Sequence, residues 1–177
     1  MLFISQLMGV ACATVQQWLE TFSEGMAEPF IDPNTQEIEI DEMWHFLDKK
    51  KNKRWVWRAV DRATGLTIAW VVGRRDKRTL MRLWKMIEHT QATIYTDDWK
   101  VYERVIPKRR HVAGKRHTVQ IERSNSNVRH RLARMTRRTK VVTHSMPMLL
   151  VSLKLQAMVN DYGLFQVFRE IAASTLI

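Results

Sequence analysis

From residue 37 onward, apolar and polar residues alternate with a period of two, which is typical of β-strands that bury one face. This pattern predicts a first strand that begins at Glu37 and carries Ile38 and Ile40 toward a core. We expect residues 49–53 to form a basic turn, residues 54–60 a second strand and residues 61–65 a hairpin turn. Residues 66–72 contain a five-residue apolar run, which predicts a third, buried strand.

After the third strand the apolar residues recur at helical spacing. Leu80, Leu83, Trp84 and Ile87 lie at i, i+3, i+4 and i+7, so residues 76–89 are predicted to form an amphipathic helix. Residues 92–96 are predicted to form a short fourth strand, residues 119–139 a long basic helix and residues 145–161 a last apolar helix.

This order of elements predicts an α/β fold. Three strands joined by tight turns form an antiparallel meander, and a crossover helix then places the fourth strand parallel to a strand already in the sheet. We therefore expect a mixed sheet flanked by helices over residues 37–163. Residues 1–22 are predicted to form a short helix–turn–helix segment, residues 23–36 a linker and residues 164–177 a C-terminal tail.

The composition excludes several classes of protein. Apolar residues make up 45% of the 177 residues, too many for a disordered chain, and a lone Cys12 excludes a disulfide scaffold. Apolar runs are too short for a membrane helix, and residues 7–15 make a poor signal peptide. We expect a cytoplasmic protein with no membrane partner, associated with the nucleoid when it is bound to DNA.

The charge of the chain is unevenly distributed. Residues 1–48 contain nine acidic residues and no Lys or Arg, whereas residues 100–140 contain 14 basic and two acidic residues. A positive field of this strength attracts polyanions, most commonly nucleic acid; a solvated basic surface without a partner is the alternative. The residues predicted to contact DNA are Lys115, Arg116, Arg123, Arg129, Arg131, Arg134, Arg137, Arg138 and Lys140.

Three acidic residues occupy positions that do not favour folding or solubility. Asp41 lies inside the first strand, where Asp is disfavoured, and Asp97 ends the fourth strand. Glu122 lies on the basic helix. If the first and fourth strands are parallel neighbours, these three carboxylates converge at one edge of the sheet. The alternatives are a solvated strand residue, a turn at Asp97, and ion pairs of Glu122 with neighbouring arginines.

A cluster of three carboxylates needs cations to offset its repulsion. Hard divalent ions with oxygen ligands, Mg²⁺ or Mn²⁺, suit such a cluster, and we expect two ions. Two ions can activate a water or a 3′-hydroxyl and stabilise the leaving oxygen of a phosphodiester.

Three segments resemble a known family. IEIDEMW at residues 38–44, TDDWKVY at residues 96–102 and IERSNSNVRHRLARMTRRT at residues 121–139 are similar to the transposases of the insertion-sequence-one family. These belong to the DDE transposases, whose catalytic domain has a ribonuclease-H-like fold. The resemblance implies that Asp41, Asp97 and Glu122 are the three catalytic and metal-binding acids.

The same resemblance bears on the first 22 residues. Members of the family carry a zinc-binding element and a helix–turn–helix before the catalytic domain, and residues 5–18 look like the second and third helices of that motif. The chain is therefore expected to begin inside the DNA-recognition module, with Thr14, Gln16 and Gln17 facing bases. The alternative is a short amphipathic helix that only packs on the body of the protein.

The helix that carries Glu122 places other polar residues beside it. Asn125, Ser126 and Arg129 follow Glu122 at i+3, i+4 and i+7, which puts them on one helix face. They either orient Glu122, contact DNA, or simply form a polar surface.

These features together predict a DNA transposase of an insertion sequence. Such an enzyme nicks transposon ends in a metal-dependent reaction and transfers the 3′-hydroxyl into target DNA. Its expected partners are the terminal inverted repeats, the target DNA and further copies of the chain in a homo-oligomer on DNA. The alternatives are a ribonuclease-H-like nuclease without strand transfer and a non-catalytic DNA-binding remnant or regulator.

Overall fold

A five-stranded mixed sheet forms the centre of the fold. The computed structural model describes residues 2–135, 143–161 and 163. The strands are β1 (Glu37–Leu47), β2 (Lys49–Asp61), β3 (Thr67–Gly73), β4 (Thr93–Thr96) and β5 (His111–Ala113), in the spatial order β3-β2-β1-β4-β5.

The strand directions match the sequence prediction. β1, β2 and β3 form an antiparallel meander, β4 lies parallel to β1, and β5 lies parallel to β4. This combination of order and direction is the ribonuclease-H-like arrangement, so the predicted fold class is confirmed. It makes β1 the central strand, with β2 on one side and β4 on the other.

Helices cover both faces of the sheet. α3 (Lys77–Ile87) packs against β2 and β3 on one face, and Asp76 caps it by accepting a hydrogen bond from the backbone N–H of Thr79. α4 (Val119–Arg131) packs against β1 on the other face, next to α5 (Met146–Gln156). One turn of π-helix, Ala157–Asp161, continues α5.

Alternating side chains of β1 and β2 supply two separate cores. Ile38, Ile40 and Trp57 point to the α3 face, where they pack with Leu80 and Leu83. Their neighbours on the opposite side of the pleat form a smaller core with α4 and α5, made of Met43, Val56, Val128, Met135, Leu149 and Leu153. Asp41 is on this second face, because it lies two residues from Met43.

Two helices precede the sheet. α1 (Leu2–Met8) and α2 (Cys12–Gly25) meet at an angle of 103°, and Gly9 in the turn between them has a left-handed conformation (φ 65°), which glycine adopts without strain. α2 extends three residues into the predicted linker and packs against α5. A role of this segment in DNA recognition stays a prediction.

The predicted basic turn at residues 49–53 is wrong. Lys49, Lys50 and Lys51 are already part of β2, and the chain reverses at Asp48, which adopts a left-handed conformation (φ 64°). Aspartate tolerates this region better than most residues. The hairpin of β1 and β2 is therefore longer than its sequence suggested.

Two further elements differ from the sequence prediction. The basic helix was expected to span residues 119–139, but α4 ends at Arg131 and a short 3₁₀ turn, Ala133–Met135, follows. Residues 136–139 lie outside the described residues. β5 was not predicted, because three residues without alternation carry no local signal and become a strand through pairing with β4.

Within the described residues, no individual helix is both long and apolar enough to cross a membrane. The bent pair of α1 and α2 meets the length and composition requirement when the two helices are taken together.

Adjacent leucines of α5 provide a test of how this helix packs. Leu149 is fully buried and Leu150 is 41% exposed. We expect Leu149→Ala to lower the free energy of unfolding by about 2–5 kcal/mol, since it removes buried methyl groups and leaves a cavity. Leu150→Ala should cost less than about 1 kcal/mol. Urea unfolding of both variants measures the difference, and equal losses would contradict the packing described here.

Candidate active site

The central strand and its parallel neighbour bring two of the three predicted acids to the same level. Glu39 of β1 pairs with Tyr95 of β4, so two residues further along each chain Asp41 lies level with Asp97. Asp97 is the first residue after β4 and is partly buried, as is Asp41. The sheet topology thus places both carboxylates at the edge where β4 ends.

Glu122 lies in the first turn of α4 and is exposed. A buried carboxylate fixes this end of the helix: Glu39 Oε2 accepts a hydrogen bond of 2.8 Å from the backbone N–H of Ile121. Arg62 Nε lies 3.2 Å from the other oxygen of Glu39 and offsets its charge. β1 therefore carries Asp41 and, two residues earlier, the acid that holds the helix bearing Glu122 in place.

The three acids interact electrostatically. Burial raises the pKa of Asp41, and the negative charges of Asp97 and Glu122 raise it further. Hydrogen bonds from the backbone of Glu42 and from the side chain of Asn125 act in the opposite direction. Asp41 is thus the carboxylate on which the charges of the other two act.

This arrangement falls short of a closed metal-binding cluster. In the described ranges, no three His, Cys, Asp or Glu side chains lie close enough together to hold one ion. One oxygen of Asp97 accepts a hydrogen bond of 3.0 Å from the backbone N–H of Trp99, and Glu122 Oε1 accepts one of 3.3 Å from Thr118. Assignment of the three acids as metal ligands stays a prediction.

Asn125 orients Asp41, a role that its position on the helix did not reveal. Its Nδ2 donates a hydrogen bond of 2.8 Å to Asp41 Oδ2, and its Oδ1 accepts one of 2.7 Å from Arg58 Nη1. Asn125 is 3% exposed. The sequence had suggested that it orients Glu122 or contacts DNA, but the structure gives it a buried contact with a different acid.

Arg58 is the buried cation behind the acids. In the register of β1 and β2, Arg58 lies directly opposite Asp41, and it is 3% exposed. Its Nη2 donates hydrogen bonds to Thr67 Oγ1 and Ser124 Oγ, at 2.5 and 2.9 Å, and lies 3.9 Å from Asp161 Oδ2. Burial lowers its pKa to about 10, against the opposing effect of the Asp161 and Asp41 carboxylates. The sequence analysis did not identify Arg58 as a residue of the site, although an arginine within an apolar strand is a signal that could have indicated it.

The neighbours of Asp97 and Asp41 along the chain, Asp98 and Glu42, lie in environments that differ from those of the two acids. Asp98 is exposed, in contrast to Asp97. Glu42 points to the α3 face, where its carboxylate accepts hydrogen bonds from Tyr102 Oη (2.6 Å) and Arg75 Nε (2.5 Å). Burial raises the pKa of Glu42, and these two donors oppose that effect.

The structure describes six of the nine predicted DNA-contacting residues. Lys115, Arg116, Arg123 and Arg131 are exposed in or just before α4, whereas Arg129 and Arg134 are partly buried. Both of the latter lie near His45, whose pKa is lowered by burial and by their charges. Arg137, Arg138 and Lys140 lie outside the described residues. Contact of any of the nine with DNA stays a prediction.

Comparison with known proteins agrees with this geometry. The profile of a protein family described as IS1 transposase matches residues 36–152, which include β1, β4 and α4 with their acids. The chain belongs to the IS1 transposase family. The resemblance that the three sequence segments indicated is therefore confirmed.

Relatives within the IS1 transposase family align with the central part of the chain. Insertion element IS1 2 protein InsB of Escherichia coli (strain K12) is 38% identical over 102 residues, which cover 57% of this chain and 61% of that protein. Insertion element iso-IS1n protein InsB of Shigella dysenteriae is 36% identical over 102 residues, with 57% and 78% covered. The alignment thus spans about three fifths of the length of the first of these relatives.

The solved structures that are distantly similar to this member of the IS1 transposase family include the catalytic core domain of BIV integrase, at 14% sequence identity and a TM-score of 0.48. The similarity covers 78% of this chain and 99% of that one.

The raised pKa of Asp41 predicts how its replacement affects stability. An aspartate whose pKa is raised on folding contributes stability while it is protonated, and this contribution is lost as the pH rises through its folded-state pKa. Asp41→Asn should therefore raise the melting temperature of the metal-free protein at neutral pH. The gain should shrink toward the acidic range in which aspartate protonates. Asp98→Asn, at an exposed neighbour, should change little at any pH in the same calorimetric series.

The contacts of Arg58 predict a large structural penalty when it is replaced. Arg58→Met leaves Asn125, Ser124 and Thr67 without a shared donor, so we expect the free energy of unfolding to fall by about 3–5 kcal/mol. Arg54→Met is the matched control on the same face of β2, where the hydrogen bond of the guanidinium within the described part of the chain is to a backbone carbonyl at 3.3 Å. It should cost less than about 1 kcal/mol, and a comparable decrease in both variants would refute this role of Arg58.

Proposed function

We propose that the chain carries the catalytic domain of an insertion-sequence DNA transposase, which nicks transposon ends and transfers the 3′-hydroxyl to target DNA. The observation that carries this proposal is the interaction of three carboxylates from separate elements. The β1/β4 register places Asp41 level with Asp97, and the charges of Asp97 and of Glu122 on α4 both raise the pKa of Asp41. Membership of the IS1 transposase family supports the same activity.

The chemistry of the three side chains suits divalent cations. All three offer carboxylate oxygens, the ligands that Mg²⁺ and Mn²⁺ prefer, and the repulsion that raises the pKa of Asp41 would be relieved by bound cations. Enzymes of the DDE group use divalent metal ions. We propose that Asp41, Asp97 and Glu122 together hold two ions, which when bound activate the attacking hydroxyl and stabilise the leaving oxygen.

The residues around the acids keep them in position. Asn125 donates a hydrogen bond to one oxygen of Asp41, and Arg58 donates a hydrogen bond to Asn125. Glu39 fixes the start of α4, so that the backbone carrying Glu122 stays against β1. These buried contacts pre-organise the site before DNA arrives, which reduces the free energy needed to order it during the reaction.

Basic residues supply the attraction for DNA. Arg116 and Arg123 line one shallow cleft with His117 and Gln120, beside the start of α4. Arg131 lies with Arg123 in a second cleft along the same helix. We propose that these clefts bind phosphates of the transposon end and of the target DNA. Two ends must be processed together, so we also propose that the chain acts as a homo-oligomer on DNA.

Conservative replacement of each acid tests the proposal. Asp41→Asn, Asp97→Asn and Glu122→Gln each remove one negative ligand with little change of shape. Each should reduce nicking and strand transfer at least about 100-fold, because metal binding is weakened and the reacting oxygens lose their activation. DNA binding should remain the same or tighten. The substrate is a pre-cut duplex carrying the terminal repeat of the encoding element, with Mg²⁺ or Mn²⁺.

Asp98→Asn is the matched control, since Asp98 adjoins Asp97 but is exposed, and it should retain most of the activity. Full activity of Glu122→Gln would refute its assignment as the third ligand. Hydrolysis without joining would indicate a nuclease instead of a transposase. Binding without any reaction in the wild type would indicate a non-catalytic DNA-binding protein.

A further inference from the structure

The hairpin of β1 and β2 projects beyond the rest of the sheet. We call residues 44–55 the hairpin arm. At its base Trp44 pairs with Trp55, and Trp55 pairs with Gly73, the last residue of β3. β4 has already ended by this level. β1 continues six residues past Asp41 to Leu47, so at about 3.3 Å per residue the arm extends about 20 Å beyond the acids.

The arm carries a dense positive charge, with five basic residues and one acid, Asp48. Lys49, Lys50, Lys51 and Lys53 are exposed, and Arg54 is partly buried. Among the described residues, the side chains of Lys49, Lys50 and Lys51 make no hydrogen bond or ion pair. Like charges this close together repel one another, so the cluster gains nothing for folding and is suited to an anionic partner.

On the α3 face of the sheet, opposite to the face that carries Asp41, aromatic rings contact two cations along the hairpin. Lys53 Nζ lies 5.1 Å from the ring centre of Trp44. At the base of the arm, Arg75 Cζ lies 5.0 Å from the ring of Trp55. It also lies 4.4 Å from the ring of Trp99, which follows Asp97 by two residues. Arg75 is already paired with Glu42. Lys53, held over the ring of Trp44, has given up part of its side-chain freedom, so its binding of a phosphate costs less conformational entropy.

The other face and the β1 edge of the arm are anchored. His45 Nε2 lies 2.8 Å from Thr143 Oγ1, and the backbone N–H of Asp48 donates a hydrogen bond of 2.7 Å to the carbonyl of Thr143. Burial lowers the pKa of His45, and the charges of Arg134 and Arg129 lower it further, so positive charge from beyond the hairpin also acts on this part of the arm.

We propose that the hairpin arm is a second DNA-contacting element, which binds the phosphate backbone of duplex DNA running outward from the acids. This inference rests on the proposed function, which makes DNA the substrate. A length of about 20 Å corresponds to about six base pairs at 3.4 Å each. The arm thus holds duplex within about six base pairs of the reacting phosphodiester, separately from the clefts beside α4.

Charge-matched variants test the arm by salt dependence. Lys49→Gln, Lys50→Gln and Lys51→Gln are combined in one variant. Arg78→Gln, Arg82→Gln and Lys85→Gln, at exposed positions of α3, are combined in the control. Affinity for a mixed-sequence duplex is measured over a range of KCl concentrations. The log–log slope should become shallower by about 0.9 for each phosphate that the arm variant no longer neutralises, and should remain at the wild-type value in the control.

Chemical modification of the wild-type chain provides a measurement that needs no variant. Acetylation of Lys49, Lys50 and Lys51 should slow several-fold when duplex is added, whereas Lys85 should react at an unchanged rate. Unchanged reactivity of the arm lysines in a complex that does form would overturn the proposal.

The remaining outcomes are also decisive. Equal reductions of the slope in both variants would show that overall charge, and not the arm, attracts DNA. If the arm variant aggregates but keeps the wild-type log–log slope of affinity against salt, the lysines only protect an exposed strand edge from pairing with other chains. A wild-type chain that binds no duplex would overturn the proposed function together with the arm, whereas binding with unprotected arm lysines would overturn the arm alone.

Discussion

The hydrogen bond from Asn125 to Asp41 is the contact on which the acidic edge depends. It joins the central strand to α4, and Asn125 at the same time receives a hydrogen bond from Arg58 of β2. Desolvation and two neighbouring negative charges disfavour the ionised form of Asp41. The neutral amide of Asn125 stabilises the ionised form by its hydrogen bond, and the buried cation Arg58 contacts Asn125 instead of neutralising Asp41 directly. Thr67 and Asp161 then tie Arg58 to β3 and to the end of α5.

The pleat of β1 separates the acids with different roles. Glu39 and Asp41 face α4, where one holds the helix and the other is exposed to the charges of the remaining acids. Glu42 faces α3 and is satisfied by Tyr102 and Arg75. Successive residues of one strand thus contribute to the proposed site on one face and to packing on the other, because neighbouring side chains point in opposite directions.

The distribution of charge follows from the topology of the sheet. The strand that carries Asp41 runs on into the hairpin arm, and α4 brings its arginines to the same edge. The acids proposed to hold metal ions therefore lie near the basic residues proposed to bind DNA. Such an arrangement requires that attraction for the DNA backbone be stronger than repulsion from the acids, which bound divalent ions would help to ensure.

The sequence by itself determined the elements whose signals are local. Alternation gave three strands, helical spacing gave α3, and three short segments indicated the family and its acids. Contacts between distant residues decided the rest. β5 exists through pairing with β4, α4 ends at Arg131 despite a pattern that continues, and Asp48 supplies a turn without a standard turn sequence. Arg58 and Asn125 are 67 residues apart, and no pattern along the chain predicts that they share a buried hydrogen bond. Periodicity reports which face of an element is apolar, whereas the partner of a buried polar group depends on how whole elements pack.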